Sequence, residues 1–240
     1  MFEPRETDVL VLAGGLGTRL RAVVSDRPKP MAAIHGRPFI SYVLEQIAAA
    51  GFRRAILCVG HRAEQVEALL GPVPGGLEIV FSREEQQLGT AGALGLAAPL
   101  VRSERALVLN GDSFIDADFA RFGTWADESP FAAALLAVHV DDAGRYGTLE
   151  LADDGRVVAF REKEGGAEPG WISAGAYLLP HALLAAIRTD RPRSLETDVF
   201  PDWAERGALG AWCARVRFID IGTPESYAVA AEFFESERAG

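Results

Sequence analysis

The stretch Leu12-Ala-Gly-Gly-Leu-Gly-Thr-Arg-Leu20 puts three glycines and an arginine directly after an apolar run, an arrangement suited to holding an anion. Gly14, Gly15 and Gly17 let the backbone turn tightly and approach a ligand with no side chain in the way. Successive backbone N–H groups in such a turn form an anion-binding concavity. Arg19 can grip phosphate oxygens with two parallel N–H groups. Further on, Pro28 and Pro30 hold the chain extended around Lys29, whose ammonium is a compact point charge. The loop fits neither common phosphate motif. A dinucleotide fingerprint requires glycine where Leu20 stands, and a P-loop requires Lys-Ser/Thr after its last glycine. A tight turn with solvated cations is the plain alternative, and the loop alone does not decide between them.

Two acids follow apolar runs: Asp112 in Val-Leu-Asn-Gly-Asp and Asp220 in Phe-Ile-Asp-Ile-Gly. Carboxylates from separate strand ends can share one Mg²⁺, which takes a few carboxylates together with phosphate oxygens and water. Either acid alone reads equally as a turn residue or a cap. Asp116 and Asp118 form an Asp-x-Asp pair, which in glycosyltransferases of a similar fold holds a metal and a nucleotide sugar; Asp118 also reads as a helix N-cap, the preferred reading. Thr90, between Gly89 and Gly92, reads as the cap of another helix. Glu162-Lys163 and Ser173 to Gly175 are, in isolation, ordinary surface and turn residues. His35, His61, His139 and His181 lie in unrelated contexts, and neither a Ser-His nor a Cys-His arrangement stands out.

The elements that must position these residues are legible from periodicity. Val9 to Ala13, Ala55 to Val59, Leu77 to Phe81 and Ala106 to Asn110 are continuous apolar runs, the mark of buried parallel strands. Between them lie helical patterns: Ile40, Val43, Leu44, Ile47 and Ala48, closed by Gly51; Val66, Leu69 and Leu70; and Thr90 to Leu100. Strands alternating with helices predict right-handed βαβ units. The second half predicts strands over Ala132 to Val140, Trp171 to Leu179 and Val216 to Ile219, with a hairpin turning at Asp154-Gly155. Thr223-Pro224-Glu225 opens a last helix, with Thr as N-cap and Pro at its first position. Tyr227, Ala230, Ala231 and Phe234 form its apolar face.

The chain has 240 residues, 49% hydrophobic and 24% charged, the balance of a globular protein. Its net charge of −10 argues against nucleic acid or an anionic membrane as the main partner, but not against phosphorylated small molecules. Cys58 and Cys213, both in strand-like stretches, are expected to be buried free thiols. The first residues lack a basic export signal, and no run approaches the roughly 20 apolar residues of a membrane span, so a cytoplasmic location is expected. No linker or repeat divides the chain, which reads as one domain over residues 1–240, with a nucleotide-binding half to about residue 110 and a mixed half over 111–240.

The paired motifs Leu12–Leu20 and Pro28-Lys29-Pro30 resemble the signature of the sugar-phosphate nucleotidyltransferases, the family of mannose-1-phosphate guanylyltransferases and glucose-1-phosphate thymidylyltransferases. The resemblance runs from Val9 to about Phe234. It implies a Rossmann-like three-layer α/β/α fold with a mainly parallel mixed sheet, without the β-helix extension of longer relatives. It implies transfer of a nucleoside monophosphate to a sugar 1-phosphate by in-line attack, with release of pyrophosphate. The implied nucleotide site comprises Leu12, Ala13, Gly14, Gly15, Gly17, Thr18, Arg19 and Lys29, with Gln87, Gly89, Thr90 and Gly92 around the base. Arg19, Lys29 and Asp112 form the implied catalytic set, and Asp112 and Asp220 the implied Mg²⁺ site. The sugar phosphate is assigned to Gly147, Glu162, Lys163, Ser173, Ala174, Gly175 and Glu196.

Two residues depart from the family pattern: Gln87 replaces a proline common in the guanylyltransferases, and Ser173 replaces an asparagine. The Leu88–Gly92 stretch favours GTP as the nucleotide. Residues 15–32, 108–114, 145–157 and 218–227 most resemble the heptose 1-phosphate guanylyltransferase branch, which implies a D-glycero-α-D-manno-heptose 1-phosphate acceptor and a GDP-heptose product used in surface polysaccharides. Mannose-1-phosphate guanylyltransferase and N-acetylmuramate-1-phosphate uridylyltransferase are the alternatives within the family. A glycosyltransferase built on Asp116 and Asp118, or an idle nucleotide-binding regulator, lies outside it. The oligomeric state is left open.

Overall fold

The computed structural model describes residues 2–15, 17, 19–20, 23–24, 27–60, 63–71, 73–161 and 168–235. The apolar runs of the first half become four parallel strands. β1 (Asp8–Leu12) is followed by a minimal hairpin of β2 (Ala33–Ile34) and β3 (Arg37–Pro38), then by α1 (Phe39–Ala49). β4 (Arg54–Val59), α2 (Ala63–Leu70), β5 (Glu78–Arg83), α3 (Gly89–Ala97) and β6 (Arg105–Asn110) complete two further βα crossovers. β7 (Ser113–Ile115) and α4 (Phe119–Glu128) lead into β8 (Ala133–Val140), the hairpin β9 (Thr148–Leu151) and β10 (Val157–Arg161), and the long β11 (Gly170–Pro180). The last elements are α5 (His181–Ala185), α6 (Phe200–Glu205), β12 (Leu209–Ala214), β13 (Phe218–Asp220) and α7 (Pro224–Glu235).

Seven strands form one sheet in the order β12-β8-β11-β6-β1-β4-β5. β11 runs antiparallel to both β6 and β8, and the other pairings are parallel. Alternate residues of each strand face opposite layers. Val9 and Val11 pack with Ile40, Leu44, Phe122 and Phe234 from α1, α4 and α7. Leu10 packs on the other side with Leu94, Leu184 and Phe200 from α3, α5 and α6. This is the three-layer α/β/α arrangement with a mainly parallel mixed sheet. From β1 the chain winds outward to β4 and β5, then returns to place β6 on the other side of β1. That reversal opens a crevice beyond the carboxyl ends of β1 and β6.

The strand expected over Val216 to Ile219 is shifted to Phe218–Asp220. The edge strand Leu209–Ala214 is not foreshadowed by periodicity, because Leu-Gly-Ala-Trp-Cys-Ala carries no β-branched residue; pairing with β8 makes it a strand. That edge position corrects the reading of Cys213, whose residue is exposed, whereas Cys58 in β4 is buried and its thiol is pushed up to about 12 by burial. The hairpin turns at Asp154-Gly155 as expected, with the Arg156 amide donating to the Asp154 side chain at 3.0 Å. Among the described residues no helix is long and apolar enough to cross a membrane.

Candidate active site

The glycine loop leaves the sheet at the crevice. The Ala13 amide still donates to the Cys58 carbonyl at 2.9 Å, so the loop begins as a continuation of β1. Gly14 then passes so close to β5 that a Cβ there would lie 2.5 Å from Glu84 Oε1. Glu84, at the end of β5, accepts from the Leu88 amide through Oε2 at 2.9 Å. Burial holds its carboxyl above the ordinary range, partly offset by that backbone bond. Leu12, Gly14, Glu84, Gln87 and Thr90 line a cavity of about 200 Å³, together with Asn110, Lys29 and Asp112.

Lys29 opens a 3₁₀ turn at Lys29–Met31, held between Pro28 and Pro30, and its side chain is only 12% exposed. It makes an ion pair with Asp112 Oδ2. Asp112 follows β6, where the ribbon of β7 and β13 begins. In that ribbon Asp220 stands opposite Ser113, and the Ile221 amide donates to the Asp112 carbonyl at 2.9 Å. The two aspartates are thereby brought to neighbouring strand ends, and the Lys29 ammonium lies 3.5 Å from the position a Cβ would take on Gly222. Asp220 accepts from Arg145 at 2.6 Å and from the Tyr146 hydroxyl at 2.5 Å through Oδ2, and from the Gly222 amide at 2.6 Å through Oδ1. Burial, with the Asp220 carboxylate adding to it, raises the Tyr146 phenol.

Beyond Asn110 a second cavity of about 490 Å³ opens, walled by Arg19, Arg145, Gly147, Arg161, Ser173 and Glu196, with Asp220 at its edge. Ser173 donates to the Tyr177 hydroxyl at 3.3 Å, which donates to Glu196 Oε1 at 3.3 Å, and Ser194 donates to Glu196 Oε2 at 3.0 Å. Burial also raises the Tyr177 phenol well above its usual range.

The crevice thus gathers Leu12, Gly14, Gly15, Lys29, Gln87, Gly89, Thr90 and Asp112 around the first cavity. Arg19, Gly147, Ser173, Glu196 and Asp220 border the second, so Arg19 faces the larger space. Ala13 and Ala174 are buried behind the walls, Gly92 lies inside α3, and Gly175 packs against Asn110. Gly17 packs against the Lys29 side chain. Thr18, Glu162 and Lys163 lie outside the described residues. Thr90 does not cap α3, which starts one residue earlier; its hydroxyl accepts from the Leu195 amide at 2.8 Å. Asp118 does cap α4, accepting from the Arg121 amide at 3.0 Å, and Asp116 is exposed beside it. His35 and His181 bond to the Ala231 and Ala98 carbonyls, and His139 packs edge-on to Trp171. His61 lies outside the described residues.

Residues 8–237 match the family of nucleotidyl transferases. The chain belongs to that family. The chain is 34% identical over 218 residues to the D-glycero-alpha-D-manno-heptose 1-phosphate guanylyltransferase of Campylobacter jejuni, covering 91% of this chain and 96% of that one. It is also 34% identical over 225 residues to the mannose-1-phosphate guanylyltransferase of Mycobacterium tuberculosis, covering 92% of this chain and 63% of that one. The chain therefore spans about three fifths of the length of such mannose-1-phosphate guanylyltransferases. HddC from Yersinia pseudotuberculosis, solved in complex with GMP-PN, superposes with a TM-score of 0.85 at 34% identity, over 95% of this chain and 99% of that one.

Among the described residues there is no cluster of three or more His, Cys, Asp or Glu able to hold a metal. Asp112 and Asp220 sit at neighbouring strand ends, and their carboxylates are hard oxygen donors of the type that Mg²⁺ takes together with phosphate oxygens and water. Glu84, Arg145, Tyr146 and Tyr177 also line the cavities, yet no motif in the sequence marks them. A charged strand end and an Arg-Tyr loop look like solvated surface until the fold turns them inward; only the closeness of Glu84 to the base loop offered a signal.

Proposed function

We propose that this chain transfers a guanylyl group from GTP to D-glycero-α-D-manno-heptose 1-phosphate, giving GDP-heptose and pyrophosphate. The observation that carries this reading is the Lys29–Asp112 pair in the wall of a cavity that shares Asn110 with a second cavity. Two anionic substrates can meet there. Glu84 suits a guanine in the first cavity, because an ionised carboxylate accepts from two N–H groups at once and guanine presents two on one edge. Arg19, Arg145 and Arg161 suit a phosphate-bearing sugar in the second. Relatives named for heptose and for mannose share the same 34% identity, so D-mannose 1-phosphate is the second acceptor to be tested. On this reading residues 1–110 supply most of the nucleotide half of one domain and residues 111–240 the sugar-phosphate half. On the same reading, a nucleoside triphosphate substrate makes the cytoplasm the expected compartment.

The acceptor phosphate is already ionised at neutral pH, so no base has to remove a proton. One of its oxygens bonds to the α-phosphorus of GTP as the bond to the β-phosphate oxygen breaks, and pyrophosphate leaves with that electron pair. The protein's task is to hold the two anions in line and screen their repulsion. Lys29 meets the triphosphate and Arg145 the acceptor phosphate, while Arg19, expected at the triphosphate, borders the second cavity and would face the acceptor phosphate instead. Asp112 and Asp220 would hold Mg²⁺, which when bound neutralises and orients the triphosphate oxygens. Asp118 is engaged as a cap and Asp116 points to solvent, so the Asp-x-Asp pair takes no part.

The test is a panel of nucleoside triphosphates against manno-heptose, mannose, glucose and N-acetylmuramate 1-phosphates, read by pyrophosphate release. GTP with the manno-heptose phosphate is expected to be the best pair. Preference for UTP or dTTP would sink the guanylyl assignment. Activity only on a preformed nucleotide sugar would sink the reaction class.

A further inference from the structure

α3 begins without a side-chain cap, and the first N–H groups of a helix need acceptors from outside it. The Ala91 and Gly92 amides donate to the Arg193 carbonyl at 3.0 and 3.5 Å. In return the Arg193 amide donates to the Leu88 carbonyl at 2.8 Å, and the Leu195 amide to Thr90 Oγ1 at 2.8 Å. The glycines of this motif explain why the two segments come so close. A Cβ on Gly89 would collide with the Arg193 carbonyl, and one on Gly95 would stand 2.8 Å from the Ile187 carbonyl and 3.1 Å from the Thr189 methyl. Residues 187–195 therefore form a strap lying directly on the backbone of α3.

The two ends of this contact serve different cavities. Gln87, Thr90 and Ala93 line the first. Ser194, in the strap, and Glu196, just after it, line the second. The Leu195 amide lies between them in the chain, and the Leu195 side chain is fully buried, so its bond to Thr90 fixes where both polar side chains start. We propose that Thr90 is a positioning residue for the acceptor half of the site: through the Leu195 amide it holds Ser194 and Glu196 at the wall of the second cavity, where Glu196 takes up a sugar hydroxyl. This rests on reading that cavity as the sugar-phosphate site.

Thr90→Val keeps the side-chain shape and removes the acceptor oxygen. It is expected to raise KM for the sugar 1-phosphate about tenfold, the scale of one buried hydrogen bond, while kcat falls by no more than about threefold. Thr90 also borders the first cavity, so Kd for GTP is measured by calorimetry without acceptor as the control, and the rise in acceptor KM should exceed any rise in that Kd severalfold. Thr90→Ser should restore KM. Amide exchange at Leu195 should accelerate about tenfold in Thr90→Val, because its hydrogen bond is gone. Gly95→Ala touches neither cavity and carries the test should Thr90→Val not fold. Alanine is the better helix former, yet its Cβ presses on the strap, so the same KM is expected to rise. An unchanged acceptor KM, or an equal loss of GTP affinity, overturns the proposal. If no pyrophosphate is released with any substrate pair, the guanylyltransferase reading fails by itself. The exchange measurement then still decides: faster exchange at Leu195 supports the hold by Thr90, and unchanged exchange overturns it.

Discussion

Lys29 and Asp112 neutralise each other in the wall of the first cavity, so each substitution there changes the charge that a bound triphosphate would meet. Asp112→Asn removes a proposed Mg²⁺ donor and leaves Lys29 without its counter-charge. Turnover is expected to fall on the order of a hundredfold, about 2.7 kcal/mol of transition-state stabilisation. Pyrophosphate release at saturating substrates measures this, and near-native turnover would remove Asp112 from the chemistry. Glu84 gives a pH signature. Burial raises its pKa in the free protein, while guanine N–H groups would favour the ionised form, so GTP binding should release a proton from Glu84. Affinity for GTP should then weaken as pH falls through a value above the ordinary carboxylate range. Glu84→Gln should remove that pH dependence and weaken GTP binding; a pH profile unchanged by the substitution would place Glu84 away from the base. At this scale the sequence was informative where residue type and spacing coincide. Glycines, prolines and the acids after strands marked Leu12 to Gly17, Lys29, Asp112 and Asp220. Arg145 and Tyr146 escaped notice because only the folded ribbon of β7 and β13 turns Asp220 toward them.

The start of α7 shows how an element holds its neighbours. Thr223 Oγ1 accepts from the Ser226 amide at 3.3 Å while Ser226 Oγ accepts from the Thr223 amide at 3.2 Å, a reciprocal cap just after the Asp220 turn. Thr223→Ala should cost about 1 kcal/mol of stability, and Thr223→Ser should keep most of it. In a chain of this size that corresponds to a drop in Tm of roughly 2–4 °C, readable by calorimetry. An unchanged Tm would mean that the cap contributes nothing. This cap was legible in Thr-Pro-Glu because N-cap chemistry is local, as were the four parallel strands, whose burial on both faces makes them continuous apolar runs. β12 was not legible, since its small residues become a strand only through pairing with β8. Thr90 was misread for a related reason: its hydroxyl meets a segment 105 residues away, and local pattern cannot report that partner.

Across the molecule, the two ends of the parallel strands divide the labour between chemistry and stability. The cavities lie at the carboxyl ends. At the opposite ends, Asp8, Arg54 and Glu78 begin β1, β4 and β5 side by side. Arg54 donates to Asp8 Oδ1 at 3.1 Å and to the Leu100 carbonyl at 2.9 Å, and the Arg102 amide donates to Asp8 Oδ2 at 2.5 Å. The Asp8 and Arg54 side chains are 8% and 9% exposed. Arg54→Met would strand the Asp8 carboxylate in that buried position with one backbone donor, a loss of about 3–5 kcal/mol. Tm should fall on the order of 10 °C. A second substitution, Asp8→Leu, in the same background should recover much of the loss, because removing both charges removes the desolvation cost that the single variant exposes. kcat/KM of the folded enzyme at low temperature should change by no more than about twofold in either variant, since neither residue approaches the crevice. A large loss of kcat/KM with an unchanged Tm would overturn this division, and would mean that the buried pair is coupled to the glycine loop at the other end of β1.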